Sequence, residues 1–145
     1  MEFQVRIPFV QMLGIELLRF EAGEAEMSLT LRPELLNSWE VAHGGVTMTL
    51  LDVVMAHAAR APDEPGGESR PGVVTVEMKT TFMRPGLGRL LAEAEVLHRT
   101  ASMAFCCGVV FDENDELVAH ATGTFKYLGG LPAGGRKIQR PHASD

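Results

Sequence analysis

The strongest chemical signal in the chain is one carboxylate, Asp52, in an apolar run that follows His43-Gly44-Gly45. Residues 46–59 are mainly types that helices tolerate, and their apolar side chains surround the predicted helix, which indicates that the helix is buried. A carboxylate in such a helix costs free energy unless it is paired or exposed at a cleft, because an ion is expensive to remove from water. Asp52 is therefore a carboxylate that is paired, exposed at a cleft, or kept for chemistry.

The predicted start of this helix offers a second chemical group. The two glycines allow a sharp turn and let a ligand approach the first backbone N–H groups, which have no partner inside the helix. These N–H groups lie at the positive end of the helix dipole, where an anion or a developing oxyanion is stabilised. One element is therefore expected to carry both an oxyanion-stabilising end and a buried carboxylate.

Gly44 and Asp52 are too far apart along one helix to act on the same carbonyl group. Eight residues at about 1.5 Å each place them roughly 12 Å apart along the axis. If they act together, Asp52 must come from a second copy of the helix, which runs antiparallel across a two-fold dimer interface.

The rest of the chain predicts an antiparallel sheet around this helix. Residues 8–13 predict one helical turn, and alternating apolar residues with turn signals predict strands over residues 14–21, 24–31, 74–82, 87–99, 102–111 and 117–127. The order is a hairpin, the helix, and then a meander of four long strands. With one long helix available, we expect a sheet curled around it, an α+β fold over residues 1–128. The Gly- and Pro-rich residues 129–145 predict a flexible tail.

Composition limits the classes of partner and the compartment. The 145 residues are 46% hydrophobic and 22% charged, which is ordinary for a globular protein, and the net charge of −6 argues against nucleic acid as a partner. No apolar run is long enough to span a membrane, and the start lacks a signal-peptide pattern. The adjacent Cys106 and Cys107 point to opposite faces of a predicted strand, which predicts two free, unreactive thiols and no metal site. We therefore expect a reducing, cytoplasmic location.

Taken with their spacing, these residues resemble the hotdog-fold acyl-CoA thioesterases of the phenylacetate-degradation type. The resemblance covers about residues 8–128. It depends on Asn37 six residues before His43, on Gly44-Gly45, on Asp52 nine residues after His43, and on residues 74–78 followed by Phe82-Met83-Arg84-Pro85.

The resemblance implies a hotdog fold, active sites shared between the subunits of a homodimer, and frequent pairing of dimers into tetramers. It implies hydrolysis of an acyl-CoA thioester without a cofactor, in which Asp52 acts as general base on water or as nucleophile. The Gly44 N–H would polarise the thioester carbonyl, and His43 and Asn37 would position it. Thr75 would help to hold the water or the substrate.

Contacts to coenzyme A are less specific in the sequence. The candidates are Gly45 and four cations on or beside the predicted strands: Lys79, Arg84, Arg89 and Arg99. A solvated strand end explains any one of these cations equally well. The tail residues Arg136, Lys137 and Arg140 are further candidates for phosphate contacts. Asn37 and Thr75 likewise have ordinary interpretations, as a turn residue and as a strand residue.

Two other functions remain open from the sequence. An enoyl-CoA hydratase is suggested by His57 five residues after Asp52, but residues five apart on a helix lie about 140° apart around the axis. A histidine packed against the sheet or a dimer interface is therefore favoured. A non-catalytic acyl-CoA-binding module would lack the acid or the glycine pair, and both are present. The acyl group is left open between aryl and medium-chain acids.

Overall fold

A computed structural model describes residues 1–129. It contains two helices, α1 (Pro8–Leu13) and α2 (Gly44–Arg60), and six strands: β1 (Glu16–Glu21), β2 (Glu24–Thr30), β3 (Val73–Phe82), β4 (Arg89–Arg99), β5 (Met103–Phe111) and β6 (Leu117–Tyr127). A short 3-10 turn, Pro33–Leu35, precedes α2. The predicted elements are present, with strand ends that differ from the expected ones by at most two residues.

All six strands form one antiparallel sheet in the order β1-β2-β4-β5-β6-β3. The α+β prediction of an antiparallel sheet around one helix is confirmed. The predicted meander of four strands is wrong, because β3 does not pair with β4 but crosses to the far edge and pairs with β6. This crossover lets β2 pair with β4, so that hairpin and meander join into a single sheet that can enclose α2.

The sheet packs closely against one side of α2. The buried residues of this side include Leu50, Leu51, Val54, Met55 and Ala58, and each of the larger side chains among them contributes roughly 1.5–3 kcal/mol. Gly108 and Gly123 allow the strands to approach, because a Cβ atom at either position would lie 3.2 or 3.1 Å from the Met55 side chain. The core is therefore the layer between α2 and the inner face of the sheet.

The other side of α2 is not covered by residues 1–129. Six residues at helical spacing remain part-exposed or exposed: Gly45, Met48, Thr49, Asp52, Val53 and Ala56. Within the described part of one chain, the expectation of a helix buried on all sides is therefore wrong. A sheet can wrap only part of a helix, and it leaves this α2 stripe open.

The two edges of the sheet differ in the way they meet solvent. The β1 edge is six residues long and irregular, and Arg19 forms ion pairs with Glu21 and Glu24 beside it. The β3 edge is ten residues long, and Val76 and Phe82 on it are 55% and 50% exposed. A long edge with exposed apolar side chains favours pairing with another chain, whereas a short, charged edge does not.

His57 is part of the core. It lies between Phe3 and Phe20, with ring centroids 5.3 and 5.7 Å away, and its Nδ1–H donates to the carbonyl of Val53 at 2.9 Å. The interpretation of this residue as a packed histidine agrees with these contacts. Burial lowers the pKa of His57 from its usual 6.5 to about 4, so the ring is neutral in the folded protein near neutral pH.

Further sequence expectations concern the tail and the membrane. The predicted flexible tail falls almost entirely on residues 130–145, outside the described residues. Within residues 1–129 no helix is both long and apolar enough to cross a bilayer.

The buried His57 predicts loss of stability in acid. Between pH 6.5 and about 4 the unfolded chain binds a proton at His57 that the folded chain does not, so the free energy of unfolding falls as the pH falls through this range. One pKa unit corresponds to about 1.4 kcal/mol, which gives a total loss of about 3 kcal/mol. We expect His57→Gln, which cannot be protonated, to flatten this part of the profile. Urea unfolding from pH 4 to 8 measures it, and identical slopes in the two proteins would contradict the assignment.

Candidate active site

Asp52 and Thr75 form the first half of the site. The Thr75 hydroxyl donates a hydrogen bond to Asp52 Oδ1 at 2.6 Å, which joins the middle of α2 to β3. The ladder between β3 and β6 is irregular between Thr75 and Glu77, so Val76 is an extra residue at this point. Asp52 is half-buried rather than buried, which corrects the sequence expectation. Within the described residues its Oδ2 has no hydrogen-bond partner, and it is free to accept one from water.

The start of α2 forms the second half. His43 is the N-cap residue, and its Nδ1 accepts the Gly45 N–H at 2.9 Å. The carbonyl of His43 accepts the N–H groups of Val46 and Thr47 at 2.9 and 3.2 Å. Among the described residues, Gly44 is therefore the first-turn position whose N–H lacks a partner. The oxyanion-stabilising end of the helix is reduced to one donor, that of Gly44.

The capping role of His43 was missed by sequence reasoning. Histidine is not among the favoured N-cap residues, so the spacing alone gave no signal for it. An Nδ1 that accepts a hydrogen bond leaves the ring proton on Nε2, which can donate to a ligand. The Gly45 N–H is already used by this cap. The role of Gly45 as a contact to the substrate or to coenzyme A stays a prediction.

Asn37 holds the turn before α2. Its Oδ1 accepts the N–H groups of Trp39 at 2.9 Å and Val41 at 3.4 Å, and its own N–H donates to the Val41 carbonyl. The side-chain NH₂ has no partner within residues 1–129. Asn37 thus fixes the turn with one end of its amide and leaves the other end free, so that the turn role and the predicted positioning role are compatible.

Phe82 lies beside Gly44 at the start of α2. A Cβ atom on Gly44 would be 3.5 Å from Phe82 Cζ, so the ring at the end of β3 packs against the first turn of α2. Sequence reasoning noted Phe82 only as part of a spacing motif. The contact makes one side of the Gly44 donor apolar, and the strength of a hydrogen bond to a developing charge increases in such surroundings.

The thiols are not candidate nucleophiles. Burial raises the pKa of Cys106 to about 12, and burial, with the nearby Glu95 carboxylate, also raises the pKa of Cys107. Both are free, as predicted. Both thiols are therefore protonated at neutral pH and are poor nucleophiles.

Arg99, a predicted contact for coenzyme A, has a structural role. Its Nε donates to the Tyr127 hydroxyl at 2.8 Å and its Nη2 to the Ala59 carbonyl at 3.4 Å. Tyr127 donates to the same carbonyl at 2.6 Å. These bonds cap the far end of α2, so this guanidinium is used to hold the helix against the sheet.

The other predicted coenzyme A contacts lie on the surface. Arg84 donates to the Leu117 carbonyl and pairs with Glu116 at 3.4 Å, and Arg89 donates to Ser28 Oγ at 3.0 Å. Lys79 forms no ion pair within the described chain. Their role in binding stays a prediction, and the tail cations Arg136, Lys137 and Arg140 lie outside the described residues.

Comparison with known proteins gives the family. The family model of the thioesterase superfamily matches residues 40–119. The medium/long-chain acyl-CoA thioesterase YigI of Salmonella typhimurium is 28% identical over 85% of this chain and 87% of its own length. The acyl-coenzyme A thioesterase PaaI of Escherichia coli is 26% identical over 84% of each chain.

The solved structures agree with the sequence comparison. A mutant of the phenylacetic acid degradation protein PaaI from Thermus thermophilus superposes with a TM-score of 0.72 at 30% identity, over 84% of this chain and all of that one. The resemblance inferred from the residues is therefore confirmed, together with the hotdog fold. The chain belongs to the thioesterase superfamily and is a hotdog-fold thioester hydrolase.

Proposed function

We propose that the protein hydrolyses an aryl- or medium-chain acyl-CoA to the free acid and coenzyme A. The observation that carries the proposal is the position of two different chemical groups on α2. One free N–H, that of Gly44, stands at the positive end of the helix, and one carboxylate, Asp52, stands in its middle with a hydrogen bond from Thr75. Thioester hydrolysis needs these two groups, an oxyanion stabiliser and an activated water.

The active site in this proposal is shared between two copies of the chain. Gly44 and Asp52 of one helix are roughly 12 Å apart, too far to meet one carbonyl. The open α2 stripe contains Asp52 and small or apolar neighbours, and the free β3 edge lies beside it through the Asp52–Thr75 bond. A second copy that pairs at β3 and lays its α2 antiparallel against the stripe would cover both surfaces and bring its Gly44 towards Asp52. Pairs of such dimers would form the tetramer.

The proposed reaction begins with Asp52 and a water molecule. Thr75 donates to Oδ1, which leaves Oδ2 to take a proton from water while the hydroxide attacks the thioester carbonyl carbon. The carbonyl oxygen becomes an oxyanion and accepts the Gly44 N–H. The intermediate then expels the thiolate of coenzyme A, which takes the proton from Asp52. Direct attack by Asp52, through an acyl-enzyme anhydride that water then hydrolyses, is the second form of the mechanism.

The substrate class is supported by the named relatives and by the surface around Gly44. YigI is named a medium/long-chain acyl-CoA thioesterase and PaaI an acyl-coenzyme A thioesterase. Phe82, beside the first turn of α2, and the next residue, Met83, are about half exposed. They offer an apolar wall to an acyl or aryl group.

The substrate class is tested by release of coenzyme A from a panel of thioesters, followed with a thiol reagent. We expect turnover of phenylacetyl-, benzoyl- or medium-chain acyl-CoA, with a preference that reflects the apolar wall at Phe82. Tight binding of acyl-CoA without release of thiol from any member of the panel would contradict the proposal. That result would favour a non-catalytic acyl-CoA-binding module.

Asp52→Asn removes the base while it keeps the shape of the side chain. We expect kcat to fall at least about 100-fold, the usual contribution of a general base, with an unchanged oligomeric state. Thr75→Val removes only the hydroxyl that bonds Asp52, and we expect a smaller loss, about tenfold. Asp115→Asn, an exposed carboxylate in the β5–β6 turn, is the matched control. Steady-state rates that remain within a factor of about three of wild type in Asp52→Asn would contradict the role.

Gly44→Pro removes the free N–H and should preserve helix α2. Proline is favoured at the first helical position, and His43, with φ −62° and ψ 136°, has the extended conformation that a residue before proline needs. We expect kcat to fall about 100- to 1,000-fold, as when one oxyanion donor is lost. Gly44→Ala adds a Cβ atom in ordinary contact with Phe82 but keeps the N–H, so its kcat should stay close to wild type. Equal rates in the Pro and Ala variants would exclude the Gly44 donor.

A further inference from the structure

A pocket of about 740 Å³ lies at the C-terminal end of α2. Its walls are the last residue of the helix, the loop over residues 67–72, the N-terminal segment and the end of β6, and its lining residues include Arg60, Arg70, Gln4, Ser69 and Leu128. The volume is that of a small-molecule site. Along α2, Arg60 is roughly 24 Å from Gly44 and 12 Å from Asp52, so this pocket is separate from both halves of the thioester site.

Arg60 is buried in this wall. The residue is 7% exposed, and its Nε is buried without a hydrogen-bond partner among residues 1–129. Within residues 1–129 its guanidinium group forms no ion pair. Removal of an arginine from water is expensive when no anion compensates the charge. An unpaired buried cation that lines a cavity therefore indicates a ligand of opposite charge.

Capping of α2 does not explain Arg60. The carbonyl of Ala58 accepts the Ala61 N–H at 3.2 Å, that of Ala59 accepts the Tyr127 hydroxyl, and that of Arg60 itself accepts the Arg70 N–H at 2.9 Å. The negative end of the helix dipole attracts a cation, but this effect is small compared with the desolvation of a guanidinium group. These C-terminal carbonyl groups of α2 thus accept hydrogen bonds from other residues, and they do not need the side chain of Arg60.

Arg70 places a second guanidinium group at the same pocket. The hydrogen bond from the backbone N–H of Arg70 to the Arg60 carbonyl fixes the loop beside the end of α2. The backbone hydrogen bond from Leu128 N–H to the Gly72 carbonyl, at 2.8 Å, fixes another wall of the pocket. The Nε of Arg70 is also buried and has no hydrogen-bond partner in the described part of the chain, while its Nη2 pairs with Asp63 at 2.8 Å. Glu68 is the one carboxylate among the lining residues, and it is exposed.

We propose that this pocket binds the phosphate group of a small ligand between the guanidinium groups of Arg60 and Arg70. The planar fork of a guanidinium matches two phosphate oxygens, and Arg70, whose Nη2 already pairs with Asp63, adds its remaining N–H groups at the same cavity. Gln4 and Ser69 supply further donors at the wall. The phosphate comes either from the ribose phosphate of coenzyme A or from free inorganic phosphate. The site does not require that the chain hydrolyse thioesters.

Thermal unfolding of the full chain in inorganic phosphate, at constant ionic strength set with chloride, tests the site. We expect the Tm of wild type to rise with phosphate concentration, because a ligand that binds only the folded state stabilises it. Arg60→Met should lose this response and, without phosphate, should be at least as stable as wild type, because a buried unpaired charge has been removed. Arg70→Gln should weaken the response, and Arg19→Gln, a surface arginine in ion pairs, should retain it.

Calorimetric titration with coenzyme A and dephospho-coenzyme A distinguishes the two sources of phosphate. If the ribose phosphate is the ligand, wild type binds coenzyme A at least about tenfold tighter than dephospho-coenzyme A, and Arg60→Met removes this difference in affinity. Equal affinities together with a response to inorganic phosphate identify the free ion. The proposal is overturned if phosphate does not raise the Tm of wild type, or if Arg60→Met keeps the response. It is also overturned if Arg60→Met without phosphate is less stable than wild type, which would mean that Arg60 is already compensated within the chain.

Discussion

The structure depends on one constraint: a six-stranded sheet can cover only part of the surface of a 17-residue helix. The covered side of α2 forms the core, where Gly108 and Gly123 let the strands come close to Met55. The uncovered side is the α2 stripe, and it contains the one carboxylate of the helix. Asp52 is therefore half-buried, bonded to Thr75 and still accessible to a ligand or to a second copy of the chain.

The same helix supplies both chemical groups because its middle and its N-terminus have different electrostatic properties. At the N-terminus the His43 side chain accepts the Gly45 N–H, while the Gly44 N–H has no partner among residues 1–129. The Phe82 ring makes the surroundings of Gly44 less polar. In the middle, Thr75 orients Asp52 from a strand at the edge of the sheet. The length of the helix separates the two groups, and antiparallel pairing of two helices would bring them together again.

Local patterns were sufficient to predict most of the fold. Alternation of apolar residues and turn residues marked the strands, and the family motif placed Asn37, His43, Gly44 and Asp52 around one helix. The position of β3 was missed because pairing with β6 depends on contacts between residues far apart in sequence, which alternation does not encode. The roles of His43 as a cap and Arg99 as a brace for α2 depend on the direction of side chains, and no residue spacing indicates them.

The claim that two chains share each active site is tested most directly by mixing two inactive variants. Equal amounts of Asp52→Ala and Gly44→Pro are combined under conditions that exchange subunits, and mixed dimers are isolated by two affinity tags. Each mixed dimer contains one site with both native halves, so the unfractionated mixture should recover about a quarter of wild-type activity. A mixture of Asp52→Ala and Asp52→Asn should recover none. Isolated mixed dimers without activity would show that Gly44 and Asp52 do not act on one thioester across the interface.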